Sequence, residues 1–134
     1  MSSNRDFWEA RFIDTFVTKS KRSRYKKFLR DSRKRDKILD RLNHNADFDF
    51  SQAIKLSGNA ALPWQLVQKL QTYKVDAQCW LISDDSELDC KLLPLSQGAE
   101  LTASAEWGTI MICPQKPIVV YRPEASEGSL YLFT

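Results

Sequence analysis

Apolar positions in the first eighteen residues recur at spacings of three and four. Phe12, Ile13, Phe16 and Val17 fall on one side, with Phe7 and Trp8 beside them. This periodicity predicts an amphipathic helix over residues 6–18, N-capped by Asn4 or Asp6 and with Glu9 in its first turn. Further along, projection at 100° per residue gathers Tyr25, Phe28, Leu29, Ser32, Asp36 and Leu39 into a stripe that is narrow and broken by polar residues. Two helices, or one bent helix, with a break near Asp31-Ser32 fit this pattern better than a straight rod. Ser32 would cap the second, which carries Ile38, Leu39 and Leu42.

Between Asn43 and Pro63 the pattern weakens into turn-forming clusters, Asn43 to Ser51 and then Ser57-Gly58-Asn59, which reads as a connector. Alternating Phe48 and Phe50 indicate that this connector packs down onto the fold. Pro63 stands at the first turn of a further helix, followed by Trp64, Val67, Leu70 and Tyr73 or Lys74, with its end near Tyr73-Lys74. A strand follows at Ala77 to Ile82, closed by the turn Ser83-Asp84-Asp85-Ser86. Pro94 marks residues 92–95 as an edge or the end of an extended segment, and Ser96 is expected to cap a short helix from Gln97 to about Ser104. Gly108 to Cys113, Pro117 to Arg122 and Ser129 to Phe133 read as three strands whose short connections make them antiparallel neighbours. The predicted class is α+β. Amino-terminal amphipathic and basic helices precede a small, mostly antiparallel sheet, with one or two helices packed on it, in a single domain of 134 residues.

Composition supports a packed core: 43% of residues are hydrophobic, including four Trp, four Tyr and seven Phe. Trp64 and Trp80 lie on apolar faces and are expected in that core. No apolar run approaches the roughly 20 residues that span a bilayer, and the charged amino terminus does not resemble a secretory signal, so a cytoplasmic protein without membrane attachment is expected.

Charge changes the picture more than composition does. The net charge is +3, yet residues 1–45 carry 14 Lys/Arg against 6 Asp/Glu (+8) and residues 46–134 carry 6 against 11 (−5). Eleven cations crowd residues 19–37, a basic part within a basic half: Lys19, Lys21, Arg22, Arg24, Lys26, Lys27, Arg30, Arg33, Lys34, Arg35 and Lys37. Ordinary surface helices intersperse both signs, whereas only Asp31 and Asp36 interrupt this run. Such a segment repels itself unless anions lie close by. They can come from nucleic-acid phosphates, from an acidic protein partner of the inhibitor, immunity or assembly-subunit kind, or from the chain's own acidic loop.

That loop, residues 83–89, places Asp84, Asp85, Glu87 and Asp89 after a strand, which makes them candidate Mg²⁺ or Ca²⁺ ligands. Their spacing does not match a calcium loop, and a solvated turn with aspartates bonded to nearby amides is the favoured reading. His44, the sole imidazole, follows a helix end where it is expected to meet terminal carbonyls. Cys79 and Cys113 sit in apolar runs and are expected to be buried, and the acidic loop is expected to raise the Cys90 thiol pKa. No nucleophile elbow, phosphate-binding glycine loop or dinucleotide fingerprint occurs, so the chain is read as a binding protein without cofactor rather than as an enzyme. Nucleic-acid backbone is the expected ligand of the basic face, and an acidic protein is the alternative.

Overall fold

In a β-strand successive side chains point to opposite faces, so a strand buried at every position must be covered on both sides. Strand β4, Thr109–Cys113, is buried throughout, and β5, Ile118–Arg122, is buried at all but its last residue. The computed structural model, which describes residues 2–44, 47–75, 77–113, 118–124 and 129–134, shows two helical layers doing the covering. Helices α1 (Ser2–Phe16), α2 (Lys19–Arg30) and α3 (Arg35–Leu39) lie on one face, and α4 (Pro63–Gln71) and α5 (Leu95–Ala103) on the other.

Among the described residues the sheet has six strands in the order β1-β6-β5-β4-β2-β3, where β1 is Ala53–Leu56, β2 Gln78–Ser83, β3 Lys91–Pro94 and β6 Leu130–Phe133. Every pairing is antiparallel. Alternation divides the core. Trp80, Ile82, Ile110, Ile112, Val119, Tyr121 and Phe133 meet Phe12, Ile13, Phe16, Tyr25, Leu29 and Ile38 beneath the amino-terminal helices. Cys79, Leu81, Met111, Cys113, Ile118, Val120, Leu130 and Leu132 meet Leu66, Leu70, Leu95 and Ala99 on the other side. The α+β class, the amino-terminal helices and the antiparallel strands match the sequence expectation, as does the break between α2 and α3. No helix among the described residues is long and apolar enough to cross a membrane.

Several local expectations are corrected. Strand β1 lies inside the stretch read as a connector. It is a four-residue edge strand, Ala-Ile-Lys-Leu, paired only with β6, so one-sided pairing and exposure at Ile54 and Lys55 leave little alternation to detect. Asn4 and Asp6 fall within α1 and do not precede it. Ser32 does not cap α3. The break is turned by Asp31, whose Oδ1 accepts the Arg33 amide at 2.9 Å, and Lys34 is the residue before the helix. Ser96 lies inside α5, which begins directly after Pro94. Helix α4 stops at Gln71, and Lys74 takes a left-handed φ of 57°. Trp64 is not in the core: it projects from α4 with 57% of its surface exposed, whereas Trp80 is buried as expected. Cys79 and Cys113 are buried, and burial pushes the Cys79 thiol up to about 12.

The end of the amino-terminal layer is fastened to the sheet through a 3-10 turn at Asp40–Asn43. The Asn43 side-chain oxygen accepts the Gly108 amide at 2.6 Å, and the Tyr121 hydroxyl donates to the Leu42 carbonyl at 2.6 Å. Gly108 is required there by space: a Cβ would fall on the Leu42 backbone. Gly108→Ala should therefore cost about 1–3 kcal/mol in urea unfolding, the range for overpacking a closed contact. Gly58, which adopts φ +58° with nothing within 4 Å of a would-be Cβ, should lose only about 1 kcal/mol to backbone strain when changed to Ala.

Candidate functional site: the basic helical face

Helical periodicity in α2 sends Tyr25 and Leu29 inward and turns the opposite side to water. Tyr25 is fully buried, and its hydroxyl donates to Asp47 Oδ2 at 2.7 Å. Asp47 is also gripped by Arg41, whose Nη2 donates to Oδ1 at 2.8 Å while Nε donates to Oδ2. Hydrogen bonding from Arg41 holds the Asp47 carboxyl below its ordinary range against the opposing effect of burial. Tyr25 moves the other way, because burial first and then the Asp47 bond disfavour its phenolate. Phe48 joins this anchor, with ring contacts to Tyr25 and Tyr121, so the packing expected of the connector is present.

Of the eleven basic residues, Lys19, Arg24, Lys27, Arg30, Arg33 and Lys37 are exposed, and Lys21, Arg22, Lys26 and Lys34 are half-buried. Their heads are partly organised. Lys26 pairs with Asp14 at 2.6 Å, Arg22 Nε donates to the Val17 carbonyl at 2.8 Å, and Arg33 lies 3.8 Å from Asp31. Arg24 and Lys34 both lie over the Phe28 ring, 5.2 and 5.7 Å from its centroid. Exposed Ser20 and Ser23 sit among the cations on the outer side of α2.

Arg35 is the exception, being only 7% exposed. Its guanidinium has five N–H donors, and each has an acceptor. Nε and Nη2 donate to the Asp89 carboxylate at 2.8 and 3.0 Å, and Nη1 and Nη2 to Glu9 at 3.0 Å each. The remaining Nη1 bond, also 3.0 Å, goes to the Leu29 carbonyl. Glu9 Oε2 further accepts the Trp80 indole N–H at 2.9 Å, and Asp89 Oδ1 accepts the Ser83 amide at 3.0 Å. Four segments thus converge on one cation, and the bonds to both carboxylates raise the Arg35 pKa despite its burial.

The acidic loop divides by residue. Asp89 joins Arg35, so the loop neutralises one member of the basic run within the molecule. Asp84 Oδ2 accepts from the Asn43 side chain at 2.8 Å, Asp85 Oδ1 accepts the Glu87 amide at 3.0 Å, and Glu87 is exposed. Among the described residues, no group of three or more His, Cys, Asp or Glu is arranged to hold a metal ion. After Asp89 the chain turns into β3 through Cys90, whose φ of 61° is strained for a residue with a side chain. Burial is the main cause raising the Cys90 thiol pKa, with the Asp89 and Glu9 charges adding and the Arg35 charge opposing. His44 is exposed. Its backbone N–H closes the 3-10 turn on the Arg41 carbonyl at 3.1 Å, and its own carbonyl accepts from Tyr121.

The sequence pattern counts Arg35 among the ligand cations, makes Glu9 only a first-turn acid, a place it does not occupy in α1, and gives no role to Asp47. A signal was available for two of these. Glu9-Phe12-Ile13-Phe16 and Arg35-Ile38-Leu39-Leu42 share one spacing, with a charged residue opening each buried stripe. No protein-family model, curated protein or solved structure matches the chain, so the geometry alone carries the functional argument.

Removing the buried guanidinium leaves the Glu9 and Asp89 carboxylates without their shared countercharge, held only by the Trp80 indole and the Ser83 amide. Arg35→Ala should therefore lose about 3–5 kcal/mol in chemical denaturation, against about 0.5 kcal/mol or less for exposed Lys27→Ala. The depressed Asp47 carboxyl contributes stability above its ordinary value of 3.8, and that stability is lost as pH falls through the lower folded value. The stability gap between wild type and Asp47→Asn should be widest near neutral pH and narrow below 3.8, as read by thermal unfolding from acid to neutral pH.

Proposed function

We propose that the outer side of α2, continued by Arg33, Lys34 and Lys37, docks on the phosphate backbone of nucleic acid in the cytoplasm without strong sequence readout. The observation that carries this reading is a dense cationic surface on a helix whose inner side is fastened at two points one turn apart. Tyr25 is bonded to Asp47, and the Leu29 carbonyl is bonded to Arg35. A held helix presents its charges with less ordering entropy to lose on binding than a basic tail would. The 12 residues of α2 span about 18 Å, enough to follow several phosphates along one groove edge. Ser20 and Ser23 supply neutral hydroxyl donors of the kind that position a backbone.

Arg35 lies outside the docking surface in this reading, since its donors are all engaged inside the fold. Tests should leave it intact. With about six phosphate contacts, the logarithm of affinity for an arbitrary duplex should fall with the logarithm of salt at a slope of about −5, measured by fluorescence anisotropy. Replacing Arg24, Lys27 and Arg30 together by Glu should abolish binding while leaving the circular dichroism spectrum unchanged. Undiminished duplex binding by that variant would sink the proposal. A single stoichiometric acidic protein recovered with the chain after nuclease treatment, and lost with the same triple variant, would reassign the face to protein recognition.

A further inference from the structure

On the sheet face away from the basic helices, α4 and α5 lie side by side. Between them runs an open groove of about 350 Å³ lined by Pro63, Trp64, Val67, Gln68, Ser96 and Glu100. Leu66 and Leu70 take the inner side of α4, which leaves Trp64 pointing away from the core and more than half exposed. An indole carries a large apolar surface and an electron-rich ring face, so its exposure beside a concave surface offers a cation a face to stack on. The opposite wall is the outer row of α5, where Ser96 and Glu100 lie one turn apart. The Glu100 carboxylate makes no ion pair or hydrogen bond among the described residues, and neither does the Trp64 indole N–H.

A ring face and an unpaired carboxylate across one groove are complementary to a cation that has an apolar body. We propose that this groove receives an arginine side chain presented by a partner protein, with the guanidinium stacked on Trp64 and bonded to Glu100 and the methylene stem along Pro63 and Val67. Arginine fits better than lysine because its planar, weakly hydrated head stacks on an indole and can pair bidentately with a carboxylate. The groove is open, whereas free small ligands are held in pockets that enclose most of their surface. A side chain arrives with its backbone side already covered by the chain that bears it.

The test follows the four indole N–H resonances of the nitrogen-15-labelled protein, with Trp64 identified by its loss in Trp64→Phe. The blocked tripeptide acetyl-Gly-Arg-Gly-amide should shift the Trp64 resonance saturably. The citrulline isostere, and the arginine peptide acting on Glu100→Gln, should each bind roughly three- to tenfold more weakly. Unmoved resonances of Trp8, Trp80 and Trp107 in Glu100→Gln would show that the fold is retained. A stationary Trp64 resonance, equal binding of arginine and citrulline peptides, undiminished binding by Glu100→Gln, or preference for an aspartate peptide would each overturn the proposal.

Discussion

The guanidinium of Arg35 holds the amino-terminal layer on its face of the sheet. Its five donors reach α1 through Glu9, α2 through the Leu29 carbonyl and the acidic loop through Asp89, while Trp80 and Ser83 of β2 complete the two carboxylates. One cation between two anions leaves a buried net charge of −1, offset by the indole and amide donors. A cluster of this kind is a modest source of net stability, because desolvation opposes the Coulomb attraction. Its leverage is in what it forbids. Any packing of the three helices that misplaces one of these partners strands a charge in the interior, so the correct arrangement is separated from its competitors more by their penalty than by its own gain.

The elements most legible in the sequence were those whose burial is two-sided or strongly periodic. Strands β4 and β5 announced themselves because flanking helices require apolar side chains on both faces, and α1 because Phe12, Ile13 and Phe16 repeat at helical spacing. Strand β1 escaped because an edge strand of four residues with two exposed positions carries almost no pattern. Helix starts were misplaced for a related reason. Asn4, Asp6, Ser32 and Ser96 are all good capping residues by type, yet no side-chain cap bond is formed at α2, α3 or α5. Trp64 was assigned to the core by size and spacing alone, and only the course of α4 shows that Leu66 and Leu70 take that side.

The basic run illustrates a different limit. Composition counts Arg35 as one of eleven equivalent cations, and local sequence gives its neighbours the same appearance. What distinguishes it are partners 26 and 54 residues away, which no local window contains. The anchoring of Tyr25 and Leu29 was readable from periodicity, but the hydroxyl bond that fixes Tyr25 depends on Asp47, 22 residues away within the connector.

The separation between Arg35 and Asp89 also has a bearing on synthesis. A chain made from its amino terminus completes the whole cationic segment more than fifty residues before it adds the carboxylate that closes the clamp. Until then the first helices have neither Asp89 nor the strands of the sheet to pack against. The fastening of the amino-terminal layer therefore waits on a residue added long after the helices it holds.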